Sequence, residues 1–170
     1  GLSCAFSHTR PLTVLVECDT GGGRCGVQSP EAAIALAEAI TAAPGLIFGG
    51  ILTYPKADTE EAVEAFFAST LAGLAALGIP CRIVSNGGTP SLFSAHKVTS
   101  ATEHRAGTYV YNDRAMARSG HCSLDDCAMH ILATVVSRPT EDRAILDAGS
   151  KALTSDLLGF ADYGMIVEYP

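Results

Sequence analysis

The stretch Leu12-Thr13-Val14-Leu15-Val16-Glu17-Cys18-Asp19-Thr20-Gly21-Gly22-Gly23-Arg24-Cys25-Gly26-Val27 decides how this chain reads. Its first half is an apolar run rich in β-branched residues, the signal of a buried strand. Its second half places Gly21, Gly22, Gly23 and Gly26 within six positions. Glycines at that density allow positive φ and close approach of backbone to a ligand. Glu17 and Asp19 lie at the junction, and Arg24 lies inside the loop. Apolar strands that end in carboxylates, glycines and an arginine place polar chemistry at strand C-termini, as α/β folds do. A surface turn holding an ion pair rarely needs so many glycines.

Outward from that stretch, the elements alternate. Ser29 and Pro30 open a helix as N-cap and first residue. The alanine-rich run from Ala32 to Ala43 continues it, and Pro44-Gly45 stops it. Residues 46–52 read as a second buried strand. Asp58 or Thr59 caps a helix that runs to about Leu77, with Ala62, Val63, Phe66, Phe67, Leu71, Leu74 and Leu77 on one face. Gly78 ends it. A third strand spans 81–84, followed by Ser85-Asn86-Gly87-Gly88-Thr89. Continuously apolar strands alternating with helices predict a parallel sheet covered by helices.

After Thr89 the pattern weakens. The sequence suggests a short helix over Pro90–Ala95, a short strand over Thr102–Arg105, a turn or strand over Gly107–Tyr111 and a polar loop over Asn112–Asp126. Strands are expected over Ala128–Ser137 and Ala144–Leu146, paired antiparallel. The boundary between α/β and mostly β structure falls between Asp113 and Cys127, giving domains 1–120 and 121–170.

The 170 residues fit one domain or a large piece of one, and 48% apolar residues suffice for a core. The net charge of −7 argues against nucleic acid and an anionic membrane surface as partners. No apolar run reaches the ~20 residues of a membrane span, and no signal peptide is visible. Cys4, Cys18, Cys25, Cys81, Cys122 and Cys127 follow no disulfide spacing, so a reduced, cytoplasmic protein is expected. His121, Cys122, Cys127 and His130 match no standard structural-zinc pattern.

Three glycine-containing segments end or follow strands: Asp19–Gly26, Ser85–Thr89 and Arg105–Tyr109. In a parallel sheet they share one face. Ser85-Asn86-Gly87-Gly88-Thr89 offers backbone N–H groups and hydroxyls suited to a phosphate. Arg105-Ala106-Gly107-Thr108-Tyr109 adds an arginine, further amides and a phenol. Together they point to a phosphate-bearing ligand.

On these residues the chain resembles a known family. Asp19-Thr20-Gly21-Gly22-Gly23-Arg24-Cys25-Gly26-Val27 is similar to the Asp-x-Gly-x-x-Arg-x-Gly segment of fold-type III pyridoxal-phosphate enzymes, the alanine racemase-like barrels. Ser85–Thr89, Arg105–Asp113, Ala133–Pro139 and Asp147–Ala152 are similar to the D-threonine aldolase and D-serine dehydratase group. The resemblance covers roughly Leu12 to Phe160. It implies an α/β fold, the second half of a (β/α)8 TIM-type barrel followed by the first strands of a β-domain.

The resemblance also implies pyridoxal 5'-phosphate as cofactor. Arg24 would bond its phenolic oxygen. Gly87, Gly88, Thr89, Gly107, Thr108 and Tyr109 would hold its phosphate, Ser85 would belong to the same cofactor-binding set, and Arg105 would face the pyridine nitrogen. The implied activity is that of a lyase on D-configured β-hydroxy amino acids, an aldolase or alternatively a D-serine or 3-hydroxyaspartate dehydratase. A non-catalytic pyridoxal-phosphate-binding barrel is the alternative from another class. The intact protein is expected to act on a small D-amino acid, as a monomer or homodimer. Lys56, Lys97 and Lys151 are the only lysines, and none sits in the family's Schiff-base motif. The chain is therefore read as an internal piece with no catalytic residue of its own. The Schiff-base lysine is expected upstream, and the ligands of a divalent metal, manganese or zinc, downstream.

Overall fold

The computed structural model describes residues 1–168. The chain divides into two compact units, Gly1–Val110 and a second from Tyr111 onward. The first unit contains α1 (Leu2–Ala5), β1 (Leu12–Cys18), α2 (Pro30–Ala42), β2 (Leu46–Thr53), α3 (Glu60–Ala76), β3 (Ile83–Asn86) and β4 (Glu103–His104). The four strands form one sheet in sequence order, and every pairing is parallel. Strand–helix–strand repeats with neighbouring parallel strands are the building pattern of a (β/α)8 barrel, of which this unit is a sector.

Register sets the core. Val14 lies beside Phe48, Val16 beside Ile51 and Cys18 beside Thr53, with a shift after Val14 that leaves Gly49 as a bulge. Val16, Cys18, Phe48, Ile51 and Val84 from the strands are buried with Ala33, Ala37 and Ile40 of α2 and Val63, Phe67 and Leu74 of α3. Small residues on α2 let that helix lie close to the sheet.

The helix ends follow local chemistry. Ser29 Oγ accepts the Ala32 N–H at 3.2 Å, and Pro30 takes the position where an N–H would be orphaned. At the start of α3, Thr59 is the N-cap residue, but its hydroxyl donates to the Lys56 carbonyl. Two bonds close α3, Ile79 N–H to Leu74 O at 2.9 Å and Gly78 N–H to Ala75 O at 3.0 Å. That pair is a Schellman motif.

Three local expectations shift. The third strand begins at Ile83, where pairing with Gly50 starts, rather than at Cys81. The helix expected over Pro90–Ala95 is replaced by two single 3₁₀ turns, Thr89–Ser91 and Ala95–Lys97. Carboxylates of α3 shape this region. Glu60 accepts from Ser94 Oγ, and Glu64 accepts from Thr99 Oγ1 and from the Ser100 N–H and hydroxyl. Side-chain anchoring of this kind competes with a continuing helix.

The second unit contains α4 (Arg114–Arg118), capped by Asp113 Oδ1 on the Met116 N–H at 2.8 Å, and the antiparallel hairpin of β5 (Val135–Thr140) and β6 (Arg143–Leu146). The strand expected over Ala128–Ser137 is shorter and later than its β-branched run. Pairing extends only as far as β6 offers partners, and none of its described residues is fully buried. Among the described residues no helix is long and apolar enough to cross a membrane.

Candidate functional site

Because β1 to β4 run parallel, the loops that follow them lie at one end of the sheet. The first loop is organised by its own carboxylate. Asp19 Oδ1 accepts from the Gly21 and Gly23 amides at 3.0 Å each, and Asp19 Oδ2 accepts from Gly23 at 3.1 Å and from Gln28 Nε2 at 3.2 Å. These bonds, the one from Gly23 foremost, hold the Asp19 carboxyl below its usual range. The loop then returns to the strand. Val27 N–H donates to Glu17 O and Asp19 N–H to Val27 O, both at 2.9 Å. A Cβ at Gly26 would stand 2.8 Å from Asp19 N and Glu17 O, at φ +113°, so glycine is required there. Arg24 projects from this loop over the ring of Tyr54, 5.0 Å from its centroid.

The loops after β3 and β4 are joined differently. Arg105 N–H donates to Asn86 O at 2.9 Å. A Cβ at Gly87, where φ is +139°, would lie 2.4 Å from Arg105 N. Only glycine permits so close an approach. Tyr109 N–H donates to Thr89 Oγ1 at 3.2 Å, which ties the two loops directly. Gly87, Gly88 and Thr89 are buried, while Gly107, Thr108 and Tyr109 are exposed. Among the described residues no protein acceptor takes the N–H of Gly87, Gly88, Thr89, Gly107 or Thr108. Buried amides without acceptors are rare, so those of Gly87, Gly88 and Thr89 are the donors an anion would take first, with the exposed Gly107 and Thr108 amides beside them. The Tyr109 amide, expected among those donors, is already engaged by Thr89.

Ser85 and Arg105 are bonded to each other beside these loops. The Ser85 hydroxyl donates to Glu103 Oε1 at 2.6 Å and accepts from Arg105 Nε at 2.8 Å, so its one proton is already committed to the carboxylate. Arg105 Nη2 donates to Thr53 O at 2.6 Å, and Thr53 Oγ1 donates to Cys18 O at 2.8 Å. This chain of bonds crosses the ends of all four strands. The structure thus brings Gly87, Gly88, Thr89, Gly107 and Thr108 together as possible donors. It bonds Ser85 to Arg105 and to Glu103, and Arg105 to the Thr53 carbonyl, and it holds Arg24 over the Tyr54 ring.

Two participants carry no pattern in the sequence. Tyr54, just past β2, stands between Arg24 and the cradle: a Cβ at Gly88 would meet its Cε2 at 3.4 Å. His104 places Nε2 3.0 Å from Gly88 O. Two buried polar atoms beside these loops, Asn86 Oδ1 and His104 Nδ1, have no partner among the described residues. The free amides of Gly87, Gly88 and Thr89 and the open space at Gly107 fit the phosphate end of a cofactor, whereas Asn86 Oδ1 is an acceptor and calls for a donor rather than a phosphate oxygen. Among the described residues no three His, Cys, Asp or Glu side chains come together as a metal site, so no metal is assigned to them.

Residues 2–115 match the family model described as "Alanine racemase, N-terminal domain", and residues 128–170 match that described as "Putative serine dehydratase domain". The chain is 37% identical over 156 residues to a D-threo-3-hydroxyaspartate dehydratase of Delftia sp. (strain HT23), covering 84% of this chain and 41% of that protein. It is 33% identical to a D-threonine aldolase of Arthrobacter sp, covering 85% of this chain and 42% of that protein. The crystal structure of D-threonine aldolase from Filomicrobium marinum superimposes with a TM-score of 0.70 at 30% identity, over 84% of this chain and 43% of that one. The chain thus spans less than half the length of these relatives. Its parallel sheet, its glycine-bounded strand ends and the match over residues 2–115 agree: the chain belongs to the family of the alanine racemase N-terminal domain.

Proposed function

We propose that this chain is the phosphate-holding part of a pyridoxal 5'-phosphate-dependent lyase that acts on D-configured β-hydroxy amino acids, with aldol cleavage as its reaction. The observation that carries the reading is the set of unengaged amides at Gly87, Gly88, Thr89, Gly107 and Thr108, on two loops tied by the Tyr109–Thr89 bond. The relatives named above support the substrate class. When bound, the cofactor supplies an electron sink for negative charge at the substrate's α-carbon.

This chain's own residues bind and orient. The five amides and the Thr89 hydroxyl take the phosphate oxygens, each donor adding a charge-assisted bond. Arg24, steadied over Tyr54, reaches the cofactor's phenolic oxygen. Arg105, held by Ser85 and Thr53, keeps the loop after β4 in line with the loop after β3. Dehydration of a 3-hydroxy amino acid is the second reading, favoured by the relationship to the Delftia enzyme. The family relationship and the all-unpaired cysteines support a cytoplasmic protein.

The test has two stages. Titration with pyridoxamine 5'-phosphate and with pyridoxamine, followed by calorimetry, should show much tighter binding when the phosphate is present. Equal affinity for both would remove the cradle's assignment. The intact, cofactor-loaded protein is then offered D-threonine and D-threo-3-hydroxyaspartate. Glycine plus an aldehyde marks cleavage between Cα and Cβ. A 2-oxo acid plus ammonia marks loss of water and supports the second reading. Turnover of the L-isomers alone would overturn both.

A further inference from the structure

We infer that His104 is a positioning residue for the phosphate cradle: its ring N–H fixes the Gly88 carbonyl and thereby aims the Thr89 amide. The inference rests on the cradle reading above and adds a residue to it that touches no cofactor atom.

A carbonyl oxygen only accepts, so the 3.0 Å contact between His104 Nε2 and Gly88 O requires the proton on Nε2. Gly88 O also accepts from the Ser91 N–H at 3.3 Å and from Ser91 Oγ at 3.4 Å. Of the three contacts, that of the imidazole is the shortest. Peptide planarity turns this into a statement about Thr89. In a trans peptide the carbonyl of one residue and the N–H of the next point in opposite directions. A Gly88 carbonyl drawn back toward β4 therefore sends the Thr89 N–H the other way, away from His104. That N–H has no protein acceptor among the described residues.

Gly88 makes the device necessary. Its φ of +157° belongs to a region that glycine enters freely, so the backbone alone does not choose the orientation of the peptide that follows. The parallel register places Asn86 beside His104, which puts the imidazole at the level of the loop it holds. Glutamine at this position could make the same bond through its side-chain N–H. Methionine has similar length and no donor.

The experiment compares His104→Gln and His104→Met with wild type in the intact protein, by calorimetric titration with pyridoxamine 5'-phosphate and with pyridoxamine. His104→Met should bind the phosphorylated compound about tenfold more weakly, the usual consequence of losing one hydrogen bond that orders a site. Its affinity for pyridoxamine should not change, and His104→Gln should stay within about twofold of wild type. Equal phosphate affinity in the two variants overturns the inference, as does a parallel loss for both compounds. A second readout needs no variant. On adding inorganic phosphate to wild type, the His104 Nε2–H and the Thr89 N–H resonances should move together. A ring signal that stays fixed while the amide shifts would also overturn it. Absence of phosphate-dependent binding in wild type removes the cradle reading itself, and is told apart from failure of the His104 role by that control.

Discussion

Two glycine-rich loops end strands of the same sheet and use their amides in opposite ways. In the loop after β1, the Gly21 and Gly23 amides are taken by the carboxylate of Asp19. In the loop after β3, the Gly87 and Gly88 amides have no protein acceptor among the described residues. The difference traces to one residue. Asp19 follows the end of β1 and turns back on its own loop, whereas Asn86 ends β3 with its side chain buried and its oxygen unpartnered. A glycine-rich loop with an acidic residue at its entrance closes on itself and serves as a rigid mount, here for Arg24. A loop with a neutral entrance keeps its donors for something else.

The comparison breaks most sharply at Gly87. Replacement by alanine would press Cβ against Arg105 N and strain a positive φ, at a cost of roughly 3 kcal/mol. Thermal unfolding should register the loss, and pyridoxamine 5'-phosphate binding should fall below detection. An alanine variant that keeps both would remove the argument for a close-approach cradle.

Asp19→Ala tests the other loop. Its Gly21 and Gly23 amides would be released, and inorganic phosphate should then perturb their NMR signals. In wild type it should move the backbone amides of residues 87–89 and 107–108 and leave those of Gly21 and Gly23 unmoved. Affinity for pyridoxamine 5'-phosphate should drop about fivefold as Arg24 loses its mount. Unchanged affinity would mean that Arg24 does not depend on the Asp19 turn.

Acid should separate the loops by degree. The Asp19 carboxyl is held low by the Gly23 amide first, and Glu60 by the Ser94 hydroxyl. Burial alone would raise Glu64, but its bonds from Ser100 and Thr99 outweigh that and lower it. A lowered folded-state pKa stabilises fully above the unfolded value, about 3.9 for Asp and 4.3 for Glu, and is lost as pH falls through the folded one. Amide exchange over residues 19–28 and 91–100 should therefore stay slow at pH 5 and quicken only below about pH 4. The segment 87–89, which carries no carboxylate, should follow its neighbours rather than lead them. Early opening of 87–89 would contradict that dependence.

The smallest effect concerns thiols. Burial, with lesser contributions from Cys81 and Glu17, pushes Cys18 up to about 12, so at pH 8 it should resist alkylation. Cys25 is exposed but donates to Glu17 Oε1 at 3.1 Å, which also raises it. Cys4, exposed at the start of the chain, should label before either. Rapid labelling of Cys18 in the folded state would mean that β1 opens.

Much of the fold was legible because local signals and burial agree there. Ser29-Pro30 and Gly78 mark helix ends by their own chemistry, and the apolar spacing of α3 needs no partner to be read. Between 89 and 100 the structure follows bonds to Glu60 and Glu64, some 35 residues earlier, and no local window contains them. The run from Ala128 reads as strand by composition, yet strands exist where partners do, and β6 offers only four residues. At the candidate site the loops stand out through their glycines. The commitment of Ser85 to Glu103 lies 18 residues away and cannot be read from either residue. Tyr54 and His104 are single residues with no repeated spacing, and only the parallel register brings them to the cradle.

The contact of Tyr54 with both Arg24 and the Gly88 loop has an optical consequence. The sequence contains no tryptophan, so ultraviolet emission from the chain comes from its five tyrosines. Tyr54 stands beside the position proposed for a conjugated pyridine ring, whose absorption overlaps tyrosine emission. Occupancy of the cradle should dim the chain's own fluorescence without any label. Tyr54→Phe should remove part of that quenching, and Tyr109, on the loop bonded to Thr89, should carry another part.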